Sequence, residues 1–318
     1  MFKKTSLVRF TVVMLAIAFI VQGCNKFSDF FPHRGGSGKK SISDIVASTP
    51  SFSLLKQALK KADLYKTLDQ SGTYTVFAPN DDAFKAAGFD SKAIDAATAD
   101  ALKAILLYHV LGSEVKAAQI PEADNTNVTT LNGKDVFVTK KSGNVSVNGG
   151  HVTQADIDAS NGVIHAIDKV LVPPSGNIVE LAQGNPNFTY LVAAVLRASQ
   201  GTTNVAALLT GDGPLTVFAP TNQAFIDAGF PTIESINAAT PDDLTPILAY
   251  HVIAARIFST NLVDGSEPAT LNGETVTIQL GTGAAVKGKS NSTASHIAPA
   301  DLVATNGVVH VIDQVLLP

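Results

Sequence analysis

In residues 74–79 (YTVFAP), Tyr74, Val76 and Phe77 put apolar side chains on both sides of an extended segment, the pattern of a strand buried on both faces. Residues 215–220 (LTVFAP) repeat it through Leu215, Val217 and Phe218. Pro79 and Pro220 end the runs. Asn80 and Thr221 then predict helix N-caps, and Phe84 and Phe225 lie one turn on, placed to fold back onto the strand. Ahead of each strand the period is helical: Phe52, Leu55, Leu59 and Ala62 in one copy, Phe188, Leu191, Val192, Val195 and Leu196 in the other, with a capping-box variant at residues 41–44 (SISD). After each strand, Leu102, Ile105 and Leu106, or Leu244, Ile247 and Leu248, predict a helix ending at a Tyr-His pair. Pro246, at the place of Ala104, predicts that the second of these helices starts late or kinks. The C-terminal half of each copy reads as strands. Asn132 with Gly133, and Asn272 with Gly273, predict type I′ hairpin turns, and residues 142–144 predict a further turn before Val145 and Val147. Runs 161–173 (NGVIHAIDKVLVP) and 306–318 (NGVVHVIDQVLLP) each predict a long final strand.

These landmarks recur in one order. Thr216 lies 141 residues beyond Thr75, Tyr250 lies 142 beyond Tyr108, Gly273 lies 140 beyond Gly133, and Asn306 lies 145 beyond Asn161. A period this long exceeds that of solenoid units and fits a self-sufficient domain, so the chain reads as a tandem duplication. The TVFAP-x-x-x-AF box, the Tyr-His pair after a Leu-rich helix and the closing NGV run together resemble the fasciclin (FAS1) domain, in matching order from about residue 41 to 318. The resemblance implies an α+β fold of two FAS1-like domains, 41–173 and 177–318, each a β-wedge or sandwich of two sheets with inserted helices. Only Pro174, Ser175 and Gly176 join them, so they are expected to abut at a restricted angle.

The first 23 residues read as a signal peptide: Lys3, Lys4 and Arg9 precede an apolar run over 10–21 that is too short to span a bilayer. Residues 21–24 (VQGC) resemble the lipobox at which bacterial lipoproteins are cleaved and acylated. Cys24, the only cysteine, is thus the expected lipidation site and membrane anchor, and the bacterial envelope the expected location. Residues 24–40 hold that Cys and a flexible tether, basic by 3. The formal charge of −4 becomes −7 without Lys3, Lys4 and Arg9, and −10 without the tether. An acidic folded part with no basic run argues against nucleic acid as a partner. With one Cys there is no intramolecular disulfide, and stability must come from burial, for which a hydrophobic fraction of 45% suffices.

Six of the seven histidines align in pairs, His109 with His251, His151 with His296, and His165 with His310, yet none shows metal-ligand spacing. They read as packed rings that fix strand ends, and no metal or cofactor is expected. No GxSxG elbow, reactive Cys or glycine-rich phosphate loop supports catalysis. The resemblance points to recognition instead. In FAS1 proteins of animals, adhesion through integrins is linked to the Tyr-His motif and to an Asp-Ile pair ahead of the NGV run. Here these fall on Tyr108, His109, Tyr250 and His251, and on Asp156 with Ile157 and Asp301 with Leu302. The expected partner of a bacterial lipoprotein is an extracellular or envelope protein or glycan. The residues alone also read as core, with each Asp holding a turn. Loops 153–160 and 299–305 are expected to be the exposed binding elements, doubled for avidity. A structural envelope spacer without a ligand is the alternative function, and an enzyme a distant third.

Overall fold

The computed structural model describes residues 38–318; the signal segment, Cys24 and most of the tether lie outside the described residues. The first domain opens with helices Ile42–Ser48 and Ser53–Lys61. The former is capped as its sequence predicts, since Ser41 and Asp44 form a reciprocal capping box. Its strands are β1 (Tyr74–Pro79), β2 (Val110–Leu111), β3 (Ala123–Thr129), β4 (Asp135–Lys141), β5 (Asn144–Val147), β6 (Gly150–Ala159) and β7 (Gly162–Ile167), in spatial order β2-β1-β7-β6-β5-β4-β3. β1 and β7 pair in parallel and every other contact is antiparallel. Between β1 and β2 stand helices Asp81–Ala86, Ser91–Ala96 and Ala99–Leu107, the first capped by Asn80.

The second domain repeats this plan with β8 (Leu215–Pro220), β9 (Val252–Ile253), β10 (Thr277–Gln279), β11 (Ala285–Lys287), β12 (Ser295–His296), β13 (Leu302–Ala304) and β14 (Gly307–Ile312). Here the sheets are separate, β10-β11-β12 and β13-β14-β8-β9. β12 and β13 occupy the path that β6 follows unbroken. Pro299, which has no N–H to give a ladder, lies in the gap.

The TVFAP strand is buried on both faces because a different core covers each. Val76 and Ala78 meet the helices together with Phe84 and Leu106, while Phe77 meets the β-hairpins together with Tyr108, Val136 and Val147. Val217 and Ala219, against Phe218, divide likewise. Phe84 and Phe225 occupy equivalent buried sites.

Four local expectations need correction. The helix Pro241–Tyr250 begins at Pro241 and runs through Pro246, so it does not start late; Pro241 at its first position lacks only an N–H that no helical acceptor would have met. At the Asn-Gly turns only Gly133 (φ 84°) and Gly273 (φ 92°) take positive φ, which excludes type I′. Gly133 N–H donates to the Thr130 carbonyl, closing a turn that the left-handed glycine follows. Both residues are left-handed instead at Ser142 with Gly143 and at Asn148 with Gly149, in the two-residue links β4 to β5 and β5 to β6. The final strands span six residues each, shorter than expected. Finally, 153–160 and 299–305 are not simple loops: the first is mostly β6, the second contains β13.

Candidate functional site

The Tyr-His pairs end the Leu-rich helices, and all four side chains are buried. Tyr108 Oη donates to the Asp135 carbonyl (2.8 Å) and accepts from Asn148 Nδ2 (2.9 Å). Burial pushes its phenol up to about 12, so it stays an O–H donor at any physiological pH. Tyr250 bonds likewise to the Thr275 carbonyl (2.6 Å) and receives the Lys289 N–H (2.9 Å). His109 Nδ1–H donates to the Ile105 carbonyl at 2.8 Å, and Nε2 accepts the Leu171 N–H at 2.9 Å. His251 does the same with Ile247 and Leu316. One nitrogen must donate and the other accept, so the ring is held as a single neutral tautomer. Burial lowers both histidines to about 4. As candidate binding residues these four have no surface to offer a partner; each ties its helix end to backbone distant in sequence.

The Asp-aliphatic pairs part company. Both aspartates sit in the left-handed region, Asp156 at φ 57° in a bulged stretch of β6 and Asp301 at φ 61° just ahead of β13. A buried histidine holds each: His165 and His310 accept the Asp156 and Asp301 N–H at Nδ1 (3.2 Å) and donate from Nε2 to the Val115 and Ile257 carbonyls. Each carboxylate then caps a short 3-10 turn, Asp156 through the Ala117 N–H (2.9 Å), Asp301 through the Ser259 N–H (2.6 Å). Asp156 is exposed, with Ile157 half-buried beside it. Asp158 nearby pairs with Lys116 (2.9 Å) and Lys39 (3.6 Å). Asp301, by contrast, is 6% exposed, contrary to the expectation of a free loop residue. Its carboxylate also accepts from Ser259 Oγ (2.6 Å) and from Lys169 Nζ of the first domain (2.8 Å). Leu302 beside it is half-buried.

That ion pair belongs to a contact between the domains, which lie within a single unit, Lys39–Pro318. The Arg256 guanidinium stacks 3.9 Å from the Phe137 ring centre and donates to the Gly307 carbonyl (2.8 Å), while Asn125 Nδ2 donates to the Arg256 carbonyl (2.6 Å). Phe258 lies against Phe137, Ser146 meets Thr260, and Asn261 donates to Asp124 and Thr139. None of these residues carried a sequence signal, because each becomes informative only opposite its partner in the other repeat. The asparagine of the NGV run was also missed. Asn161, buried, accepts the Ile42 N–H and donates to the Leu68 and Gln70 carbonyls, and Asn306 repeats this with Ile178, Leu209 and Gly211.

Among the described residues no three His, Cys, Asp or Glu side chains are grouped to hold a metal ion, and no helix is long and apolar enough to cross a membrane.

Two successive copies of a helix-covered β-wedge define a tandem FAS1 protein. The chain belongs to the Fasciclin domain family, whose model matches residues 50–173 and 186–318. It is 37% identical over 172 residues to protein sll1483 of Synechocystis sp., covering 54% of this chain and 94% of that protein. It is 29% identical over 255 residues to transforming growth factor-beta-induced protein ig-h3 of Sus scrofa, covering 79% of this chain. The chain spans 35% of that animal relative's length. A solved FAS1 domain pair from the insect cell adhesion molecule Fasciclin I aligns with 83% of this chain and 96% of its own, at TM-score 0.41 and 18% identity.

Proposed function

We propose that this chain is a lipid-anchored adhesion or interaction module of a bacterial envelope, binding an extracellular or envelope protein or glycan through the first domain around Asp156 and Ile157. Fasciclin domains occur in adhesion-related extracellular proteins, which supports the general role. The site is favoured by one observation: of the paired motif residues, Asp156 alone carries a charge that is both exposed and set by a rigid bulge, whereas its counterpart Asp301 is consumed by the domain contact. This gives one such site per chain rather than two, and the avidity argument from doubling lapses.

The test is binding to cells and matrix of wild type and Asp156→Asn, run beside thermal unfolding. Asparagine tolerates left-handed backbone and keeps the oxygen that accepts the Ala117 N–H, so only the charge is lost. Reduced binding at unchanged melting temperature supports the reading, and unchanged binding removes the site. Anchoring is tested by Cys24→Ser, which should move the protein from the membrane to the soluble fraction. A spacer without a ligand would show no saturable binding to any cell or matrix fraction.

A further inference from the structure

The helical layer of the second domain encloses an apolar cleft at the place that the first domain fills from its own chain. Helices Ile178–Gln183, Thr189–Ala198 and Val205–Thr210 surround an open cleft of about 50 Å³ within its mouth. Its walls include Val179, Leu191, Val195, Ala206 and Leu209, and His251 also lines it.

The hydrogen bonds align the two copies residue by residue. Asn161 and Asn306 donate to the carbonyls of Leu68 and Leu209, which sets Tyr65 against Ala206. The capping boxes headed by Ser41 and Asn177 set Ser43 against Val179 and Val46 against Ala182. The buried Phe52 and Phe188, each just ahead of a helix, set Leu59 against Val195. Around one scaffold, then, Tyr has become Ala, Val has become Ala and Leu has become Val, a loss of volume that the change of Ser43 to Val179 offsets only in small part. In the first domain the Tyr65 ring packs against the core, and its hydroxyl donates to the Ser43 carbonyl at 3.2 Å. The ring therefore reaches from residue 65 to the opening helix, the span that lies between Ala206 and Val179 in the second domain. The rim changes in the same sense: Leu196, which lines the cleft, is about half exposed where the first domain has Lys60.

The chemistry of the lining selects the occupant. Gln183 is its one polar side chain besides His251, and both nitrogens of His251 are engaged, so that ring presents no free donor or acceptor. A charge would enter unpaired, at high cost, whereas an apolar ring covering these walls, part of it left in the mouth, removes apolar surface from water. We infer that this cleft binds a small uncharged aromatic molecule, which seats one ring where the first domain seats Tyr65. The assignment is independent of the Asp156 surface.

The probe is p-cresol, the tyrosine side chain as a free molecule, titrated into the full chain with methyl NMR detection, beside benzoate as a charged ring of similar size. Saturable binding that shifts the Val179, Leu191 and Ala206 methyls, at least tenfold tighter than benzoate, is expected. Ala206→Tyr, which restores the first domain's residue, should weaken p-cresol at least tenfold without lowering the melting temperature. Ala182→Val should weaken it in the same direction, which keeps the test intact if the tyrosine variant does not fold. No saturable binding to wild type, equal binding of benzoate, or undiminished binding in the folded variants overturns the inference. Self-association of wild type that Ala206→Tyr abolishes, without p-cresol binding, would assign the cleft to a second copy and overturn it equally.

Discussion

At the scale of single residues, the motifs shared by the two repeats are occupied by the scaffold. His109 and His251 are the clearest case, because their rings satisfy one carbonyl and one N–H only while neutral. Their native pKa of about 4 lies below the usual value of 6.5, so the unfolded chain binds more protons between those values. Stability from these groups is complete above pH 6.5 and is lost as pH falls toward 4, by on the order of 3 kcal/mol per histidine at the limit. Burial lowers His310 in the same direction. The urea midpoint should therefore drop steeply between pH 6.5 and 4.5, and His109→Gln should be less stable at pH 7 with a shallower pH dependence. A midpoint independent of pH over that range contradicts the account.

At the scale of elements, the parallel pairing of β1 with β7 and β8 with β14 explains the glycine of the NGV run. A Cβ on Gly162 (φ 144°) would lie 2.0 Å from the Tyr74 carbonyl oxygen, and one on Gly307 would lie 2.2 Å from that of Leu215. Backbone on one strand blocks a side chain on the next, and no rotamer relieves it. Gly162→Ala and Gly307→Ala should each cost more than about 3 kcal/mol, read by denaturant unfolding. The bulge in β6 acts in the opposite sense: it turns Asp156 outward, and Asp156→Asn should change stability by no more than about 0.5 kcal/mol.

At the scale of the whole molecule, the domain contact decides which of the paired aspartates stays exposed. Asp301 is buried while Lys169 is partly exposed, so losing the carboxylate forfeits its bonds to Ser259 and Lys169, about 2 to 3 kcal/mol. Asp301→Ala should accordingly destabilise far more than Asp156→Ala, although the two residues are repeat equivalents. Lys169→Met isolates the contact itself, because Asp301 still caps the turn that begins at Ser259. Calorimetry should show a single transition in wild type resolving into two in Lys169→Met, as the domains lose part of their coupling. Identical melting of the two Asp variants would remove the contact from the explanation.

The chain by itself determined the duplication, the doubly buried TVFAP strands, the capped helices and the aligned histidines. Those features rest on neighbours in sequence: alternation, helical period and an N-cap oxygen three residues from its N–H. Turn type was misread at Asn132, where the Asn-Gly pair closes another kind of turn, and the helix through Pro246 survived because packing of Leu244 and Leu248 outweighs one missing backbone bond. Only the tertiary structure decided that Asp156 is exposed and Asp301 is not. The two share a histidine anchor and a capping role, and differ in the Lys169 that lies 132 residues before Asp301. The cleft beside Ala206 has the same origin: its emptiness is defined by a tyrosine in another domain, and the fold alone puts the two positions in register.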